Sequence, residues 1–287
     1  MTQDVDSTVR QTEAETESFL QRLRNDERRS TRFLLRVLTP IAILLVIWQL
    51  VAYVASRHLQ SPIGLLDIVE AFAKLVSEGD TEGRTMVEHT GLSMFRVALG
   101  FLAAILTGVP LGIAIGRYRI VNSILGPVVE AIRPIPPIAW IPISILMYQG
   151  NFLGSQVFII WIGAFFPILL NTTAGVKRTD TVHLDVARTF GASEIQVLQK
   201  IVVPSAAPEV FAGLRIGFGI GWMCLVAAEM IGGGIGLGHL VIVTEQLGRT
   251  AETISAMLVI GLIGFLISYM FLYIEKQLLR WRKEVSI

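Results

Sequence analysis

The sequence predicts an all-α integral membrane protein with six transmembrane helices. Three observations lead there. The 287 residues are 53% hydrophobic and only 16% charged, whereas soluble domains run nearer a quarter charged. Mean hydropathy is +0.62, high for a chain of this length. The apolar residues also fall in blocks of spanning length, separated by short charged or glycine-containing segments.

A helix needs about 20 residues to cross a ~30 Å hydrocarbon core. Leu38–Ser56 fits as the first span and Val97–Gly116 as the second, the latter flanked by Arg96 and Arg117. From Pro134 to Val176 no side chain is charged. That run is too long for one span and suits two. The third starts near Ile124, and Met147–Ser155, with Gly150, Asn151 and Gly154, makes the turn to a fourth at Gln156–Thr173. Phe211–Ala228 makes the fifth and Thr253–Ile274 the sixth.

Orientation follows the Lys/Arg distribution. Arg22, Arg24, Arg28, Arg29, Arg32 and Arg36 precede the first span, and Lys276, Arg280, Arg282 and Lys283 follow the last. Both ends are therefore expected in the cytoplasm of a multi-pass protein of the cell membrane, in agreement with an even number of spans. Arg117, Arg119 and the block from Lys177 to Lys200 fall on the same side. The polar, mixed-charge residues 1–37 read as a cytoplasmic extension without the apolar stretch of a signal peptide. Residues 57–92 form an external, acid-rich loop. Within it Ser61-Pro62 opens a helix with Leu65, Ile68, Phe72 and Leu75 at helical spacing. This reads as an amphipathic helix at the outer membrane face, packed against the spans, with part of its polar face open to a partner. The rest divides into a hydrophobic core, 93–280, interrupted by a cytoplasmic loop at 177–210, and a short tail, 281–287.

That loop is polar and patterned: "DVARTFGASEIQVLQKIVVP", Asp185 to Pro204. It reads as two short helices. The first covers Thr181–Phe190, with Asp180 as N-cap and Gly191 as its stop. The second starts at Ser193, whose S-x-x-Q spacing to Gln196 is a capping box, with Glu194 in the first turn. Ile195, Leu198 and Val202 are expected along one face and Pro204 near its end. Pattern alone leaves two readings open. One is a hairpin gripped by a partner; the other is an amphipathic loop tucked against the bilayer.

The segment resembles the coupling loop of permease subunits of bacterial and archaeal ABC importers, E-A-A-x-x-x-G-x9-I-x-L-P. Here it stands as Asp185-Val186-Ala187, Gly191 and Ile201-Val202-Val203-Pro204, with every spacing kept. Asp replaces Glu, and Val replaces one Ala and the Leu. "IRPIPPIAWIPISILMYQG", "GAFFPILLNTTAGV" and "GLRIGFGIGWMCLVAAEMIGGGIGLG" are similar to the nitrate/sulfonate/taurine/bicarbonate permease group of type I, binding-protein-dependent importers. The resemblance covers about Ser61 to the C-terminus. It implies a five-helix core plus an extra N-terminal helix, and a hairpin that docks in a groove of an ATPase subunit. Asp185, Ala187, Gly191, Ala192, Ser193, Ile201 and Pro204 would carry that coupling, with Asp185 meeting a basic residue of the motor. It also implies two ATPase copies using ATP and Mg, a second permease copy, an external or lipid-anchored substrate-binding protein, and a small anion as cargo.

Other residues stand out physically. Pro134, Pro136, Pro137 and Pro142, around Trp140, distort a spanning helix. Broken backbone at membrane depth is tolerated where it packs in protein or borders a cavity. Glu130 and Arg133 lie about one turn apart and form a candidate ion pair; the alternative is Arg133 meeting a passing anion. Arg215 sits near the cytoplasmic end of the fifth span, where a snorkelling side chain is the plain reading, and Glu229 follows the span on its outer side. Gly213, Gly217 and Gly221 of that span form a small-residue stripe for close packing within the chain or across a dimer axis. Glu130, Arg133, Pro136, Trp140, Arg215 and Glu229 are thus the translocation-path candidates. "MIGGGIGLGHL" lacks the Lys-Ser/Thr of a phosphate loop and reads as a re-entrant or outer loop.

Several functions are disfavoured. A single cysteine, Cys224, leaves no internal disulfide or cysteine zinc site. His58, His89, His183 and His239 have no ligand spacing. No Walker A sequence occurs, so no catalytic residue, bound cofactor or metal is expected on this chain, nor any nucleic-acid partner. The competing reading is a secondary carrier driven by an ion gradient, which predicts acids in mid-span and internal repeats.

Overall fold

The computed structural model describes residues 64–278, together with residues 39, 40, 42, 43, 46–50, 53 and 54. The chain divides into two compact units, Met1–Leu66 and Asp67–Ile287. In the first, the described residues between 39 and 54 are helical. The expected first span, the N-terminal extension, Ser61-Pro62 and the tail lie largely or wholly outside the described residues. The regular structure among the described residues is helical throughout.

The first described helix, α1 (Leu65–Ser77), buries Ile68, Ala71 and Leu75. Leu65 and Phe72, expected on that face, are 40% and 43% exposed. α2 (Met86–Arg117) starts well before Val97. Thr85 and Glu88 form a reciprocal capping box that sets this start. Its first turns bury His89 and Ser93. These polar residues face a polar cluster rather than lipid, so hydropathy alone places the boundary too late.

α3 (Arg119–Ile132) and α4 (Ile141–Met147) are separated by a 3-10 turn, Pro137–Trp140. The pair bends by 86°. Pro134, Pro136 and Pro137 withhold backbone donors in succession, so the helix breaks instead of kinking. The expected third span is this bent pair. α5 (Phe152–Lys177) follows, its N-cap Asn151 accepting from the Gly154 amide.

α6 (Thr181–Thr189) and α7 (Glu194–Val197) form the hairpin. The second helix does not end at Pro204. α7 runs through a π turn, Leu198–Val202, straight into α8 (Val203–Gly232). Pro204 occupies the first turn of α8. It has no N–H to donate, and the wider turn accommodates the lost bond: the Val203 amide donates to the Leu198 carbonyl, five residues back. The π turn also shifts the helix phase, so that Val202, five residues after Val197, is buried with it, whereas Ile195 is 67% exposed. The fold closes with α9 (Leu237–Gln246) and α10 (Thr250–Leu278).

Among the described residues, four helical stretches are long and apolar enough to span a membrane: α2, α5, α7–α8 and α10. Counting the bent pair as one span gives five. α5 lies at the centre. Gly100, Gly108, Gly112 and Gly116 of α2 face its Ile160, Ile168, Thr172 and Val176. A methyl added at Gly100 would sit 2.6 Å from Ile160 Cβ. From the other side Gly213, Gly217 and Gly221 of α8 approach Asn171, Ile168 and Ile160. The small-residue stripe of the fifth span thus packs within the chain, and an identical device on α2 mirrors it. Without a hydrophobic drive between helices in lipid, such close contact supplies the dispersion that joins them. Phe101, Phe218, Trp222 and Phe271 close the α2–α8–α10 side. The most apolar window of α10 has no residue buried inside the protein, as a lipid-facing helix requires.

Candidate functional site

The hairpin is built by its caps. Asp180 accepts from the Val182 amide at 2.9 Å. Gly191 turns the chain at φ 78°, a conformation costly for other residues. The Ser193 hydroxyl accepts from the Gln196 amide, and the Gln196 side chain accepts from the Ser193 amide at 2.9 Å. Inward, Leu184, Ala187, Ala192 and Leu198 pack on buried Val176, Val197, Val202 and Ala206. Outward, Val182 is 63%, Val186 49% and Phe190 85% exposed. With Ile195 they leave an apolar surface on both hairpin helices. Asp185 stands beside it with its side chain 73% exposed. An exposed phenylalanine next to a carboxylate at a capped turn is a surface suited to a partner groove.

An ion chain anchors this hairpin. Arg188 Nε donates to Glu194 Oε1 at 3.0 Å, and Arg188 Nη1 lies 3.5 Å from Asp185 Oδ1. The other oxygen of Glu194 accepts from Arg117, in the last turn of α2. The hydrogen bond from Arg188 holds the Glu194 carboxyl below its ordinary pKa, and the same bond raises Arg188. Arg178 of the α5–α6 connection pairs with Glu209 of α8 at 3.1 Å.

The path candidates separate in space. Glu130 and Arg133 are both exposed, at the end of α3 and just beyond it, and no ion pair forms between them. Pro136 and Trp140 flank the break, with Trp140 packed beside Ile141, Ile159, Cys224 and Ala228. Arg215 pairs with Glu275 of α10 at 3.3 Å.

Glu229 belongs to a buried polar cluster at the opposite end of α8 from the hairpin. Its side chain is 0% exposed. Oε1 accepts from Arg96 Nη1 at 2.8 Å and from the Ser93 hydroxyl at 2.7 Å; Oε2 accepts from the Gly238 amide at 2.9 Å. Arg96 also donates to the Ile235 carbonyl. His89 continues the chain: Nε2 meets Asp80 Oδ2 at 3.0 Å, and Nδ1 lies against the backbone of Gly236. The "MIGGGIGLGHL" segment is therefore a wrap around a carboxylate, turning at Gly233 and Gly234 with φ of 75° and 94°. A methyl at Gly236 would fall 2.3 Å from Glu229 Oε1. Both oxygens of the acid have donors and a cation lies beside them, the compensation a buried charge requires.

Sequence reasoning missed Arg117, Arg188 and Phe190 at the hairpin, and it read Glu194 only as a helix-start residue. The Glu194–Arg117 contact joins residues 77 positions apart, beyond any local pattern. Arg188–Glu194 crosses the turn, and only the turn geometry brings it together. Phe190 carried one available signal: an aromatic residue immediately before a turn glycine, in helical period with Val182 and Val186 on the face opposite Leu184 and Ala187. No group of three or more metal-ligating side chains gathers among the described residues.

Comparison with known proteins places these features. Residues 108–283 match a family model described as "Binding-protein-dependent transport system inner membrane component". A putative ABC transporter permease protein of Methanocaldococcus jannaschii is 40% identical, over 90% of this chain and 96% of its own length. The taurine transport system permease protein TauC of Escherichia coli (strain K12) is 35% identical, over 86% of this chain and 89% of that protein. The nitrate import permease protein NrtB of Synechocystis sp. is 34% identical, over 84% and 88%. In structure, an amino acid ABC transporter chain superposes with a TM-score of 0.58 at 14% identity, covering 77% of this chain and all of that one, which concerns the fold alone.

Proposed function

This chain belongs to the binding-protein-dependent transport system inner membrane components, and from that premise we propose that its importer carries a small oxyanion across the membrane. It is the permease subunit of an ABC importer, a multi-pass inner-membrane protein without enzymatic chemistry of its own. An ATPase and a substrate-binding protein are its partners by family. The substrate proposal rests on one shared chemistry: relatives named for taurine and for nitrate both concern small molecules that carry an oxyanion group, a sulfonate in the one and nitrate itself in the other.

The hairpin end is the cytoplasmic end, and both termini lie on that side. This agrees with the basic residues flanking the spans. Two copies of the chain form one pathway, served by two ATPase copies. The ATPases hold the ATP and Mg; this chain holds no cofactor. The binding protein, free or lipid-anchored, delivers the anion at the Glu229 end. Phe190, Val182, Val186 and Ile195 enter the ATPase groove, with Asp185 meeting a basic residue there. Ala187, Ala192, Ser193, Ile201 and Pro204 shape the hairpin behind that surface, and Gly191 turns it. Closure of the ATPases moves the hairpins and turns the pathway outward; release opens it inward. That requires contacts that differ between the two states. Arg133, exposed at the α3 break and unpaired with Glu130, is the cation placed to meet a passing anion.

The exposed apolar turn at Phe190 carries the coupling assignment. The test is reconstitution of the purified complex in proteoliposomes. Uptake of taurine, nitrate, bicarbonate or an alkanesulfonate is expected to require ATP and the binding protein. Uptake driven by an imposed ion gradient without ATP would establish a secondary carrier instead.

A further inference from the structure

We propose that Glu194 is a positioning residue that keys the hairpin to α2, so that displacement of the hairpin is passed sideways into the α2–α5 pair. This rests on the coupling role proposed above for the hairpin.

Three observations carry it. Glu194 is fixed at its backbone, because Ser193 and Gln196 close the capping box around the first turn of α7. Its carboxylate is divided between two partners on different elements, Arg188 of α6 and Arg117 of α2. Arg188 in turn reaches Asp185, so the chain runs from the exposed acid of the hairpin to the end of a helix in the core. α2 is in turn keyed to α5 through Gly108, Gly112 and Gly116.

Apart from this chain, the hairpin's first helix is tied inward through the apolar contacts of Leu184 and Ala187. Gly191 has no neighbour within 4 Å of where a side chain would begin. Asp185, Val186 and Phe190 are exposed. The apolar packing of Val197 and Val202 belongs to a cluster with Val176 of α5, Leu184 and Ala187 of α6 and Ile113 of α2, but apolar contact is non-directional. A push on α6 would therefore flex the turn at Gly191 or pass through apolar contacts that fix no register. Glu194 closes a triangle among α6, α7 and α2, and a triangle transmits displacement where a single hinge absorbs it. Exposed ion pairs add little to stability, so the expected role is registration rather than folding.

The test uses the complete complex in proteoliposomes and reads substrate transported per ATP hydrolysed. Glu194→Gln keeps side-chain size at the first turn and removes the charge. Glu194→Gln and Arg117→Gln are each expected to leave complex assembly and ATP hydrolysis in place and to lower the transported-to-hydrolysed ratio several-fold. If both act through one contact, the double variant loses no more than the worse single. Glu194→Asp, which retains the charge, is expected to recover part of the ratio. An unchanged ratio in Glu194→Gln overturns the proposal, as does a double variant whose losses multiply. Phe190→Asp separates this from the coupling role itself. If Phe190→Asp releases the ATPase while Glu194→Gln leaves the ratio unchanged, only the positioning role fails. If Phe190→Asp leaves association intact, the coupling assignment fails and this proposal falls with it.

Discussion

Arg96 and Glu229, 133 residues apart in the chain, meet at 2.8 Å in a site where the glutamate side chain is completely buried. The pair joins α2 to the last turn of α8, and the α8–α9 glycines are shaped around it. Removing one member of a buried pair leaves the other charge uncompensated, at a cost of about 3–5 kcal/mol. Arg96→Met is expected to lower the thermal stability of the detergent-purified protein by that order. Glu229→Gln should cost about as much, because the carboxamide oxygen can take only one of the two oxygen positions, its NH2 then meets a donor at the other, and the Arg96 charge is left unpaired. A melting temperature for Arg96→Met equal to the parent's would contradict this account.

The glycine contacts predict a pattern rather than a single effect. A methyl at Gly238 would lie 2.4 Å from the Val226 carbonyl oxygen, and one at Gly112 would lie 2.7 Å from Thr172 Cβ. Overpacking of this kind costs about 1–3 kcal/mol. Gly219, on the same helix as the α8 stripe, has nothing within 4 Å. Gly238→Ala and Gly112→Ala should therefore destabilise, and Gly219→Ala should not. Unfolding temperatures of the three variants, measured side by side, check the ranking.

Phe190 is 85% exposed, so its replacement should barely change the stability of the isolated permease. In the complex its loss should be costly. A central aromatic anchor contributes about 2 kcal/mol or more to an interface, which is at least roughly 30-fold in affinity. Phe190→Asp is expected to abolish retention of the ATPase during co-purification while the permease itself purifies normally. Retention at the parent's level would remove Phe190 from the interface.

Asp80 gives a pH signature. Burial acts to raise its carboxyl, but hydrogen bonds from the amides of Arg84 and Glu82, with His89 beside them, outweigh it and hold the pKa below the ordinary value. A depressed folded-state pKa contributes stability above the unfolded value, near about 3.9 for an aspartate. That contribution is lost as pH falls through the lowered folded value. The turn at residues 78–84 should therefore be unaffected from neutral pH down to about 5 and weaken only in stronger acid. Asp80→Asn should erase this acid-dependent component. Limited proteolysis of that turn, followed against pH in parent and variant, would show whether it does.

The large helices were legible because lipid imposes a simple rule on them, and α5 and α10 fall close to the apolar blocks of the sequence. The hairpin caps at Asp180, Gly191, Ser193 and Gln196 were legible too, since each acts within three residues of its partner. Where a helix continued in polar residues, hydropathy misplaced the boundary, as at Met86 with His89 and Ser93 inside. Pro204 was misread because proline usually stops a helix. A π turn, which accommodates it here, has no signature in residue type alone. Glu229 stood out as an acid at a span end, but its partners Ser93 and Arg96 lie on another helix. Its role in packing depends on contacts that no local spacing encodes.

The π turn has a consequence for the chain's tolerance to change in length. Because α7 does not stop at Pro204, Glu194–Gly232 is one helical run of 39 residues, about 58 Å at 1.5 Å per residue. Its two ends are therefore locked in phase. Inserting or deleting a single residue anywhere within it would rotate one end against the other by about 100° and shift it by 1.5 Å. Glu194 would then face away from Arg117, or Glu229 away from Arg96. Substitutions at the open positions of this run, such as Gly219, can be absorbed one at a time, but its residue count cannot change without uncoupling one end from its partners.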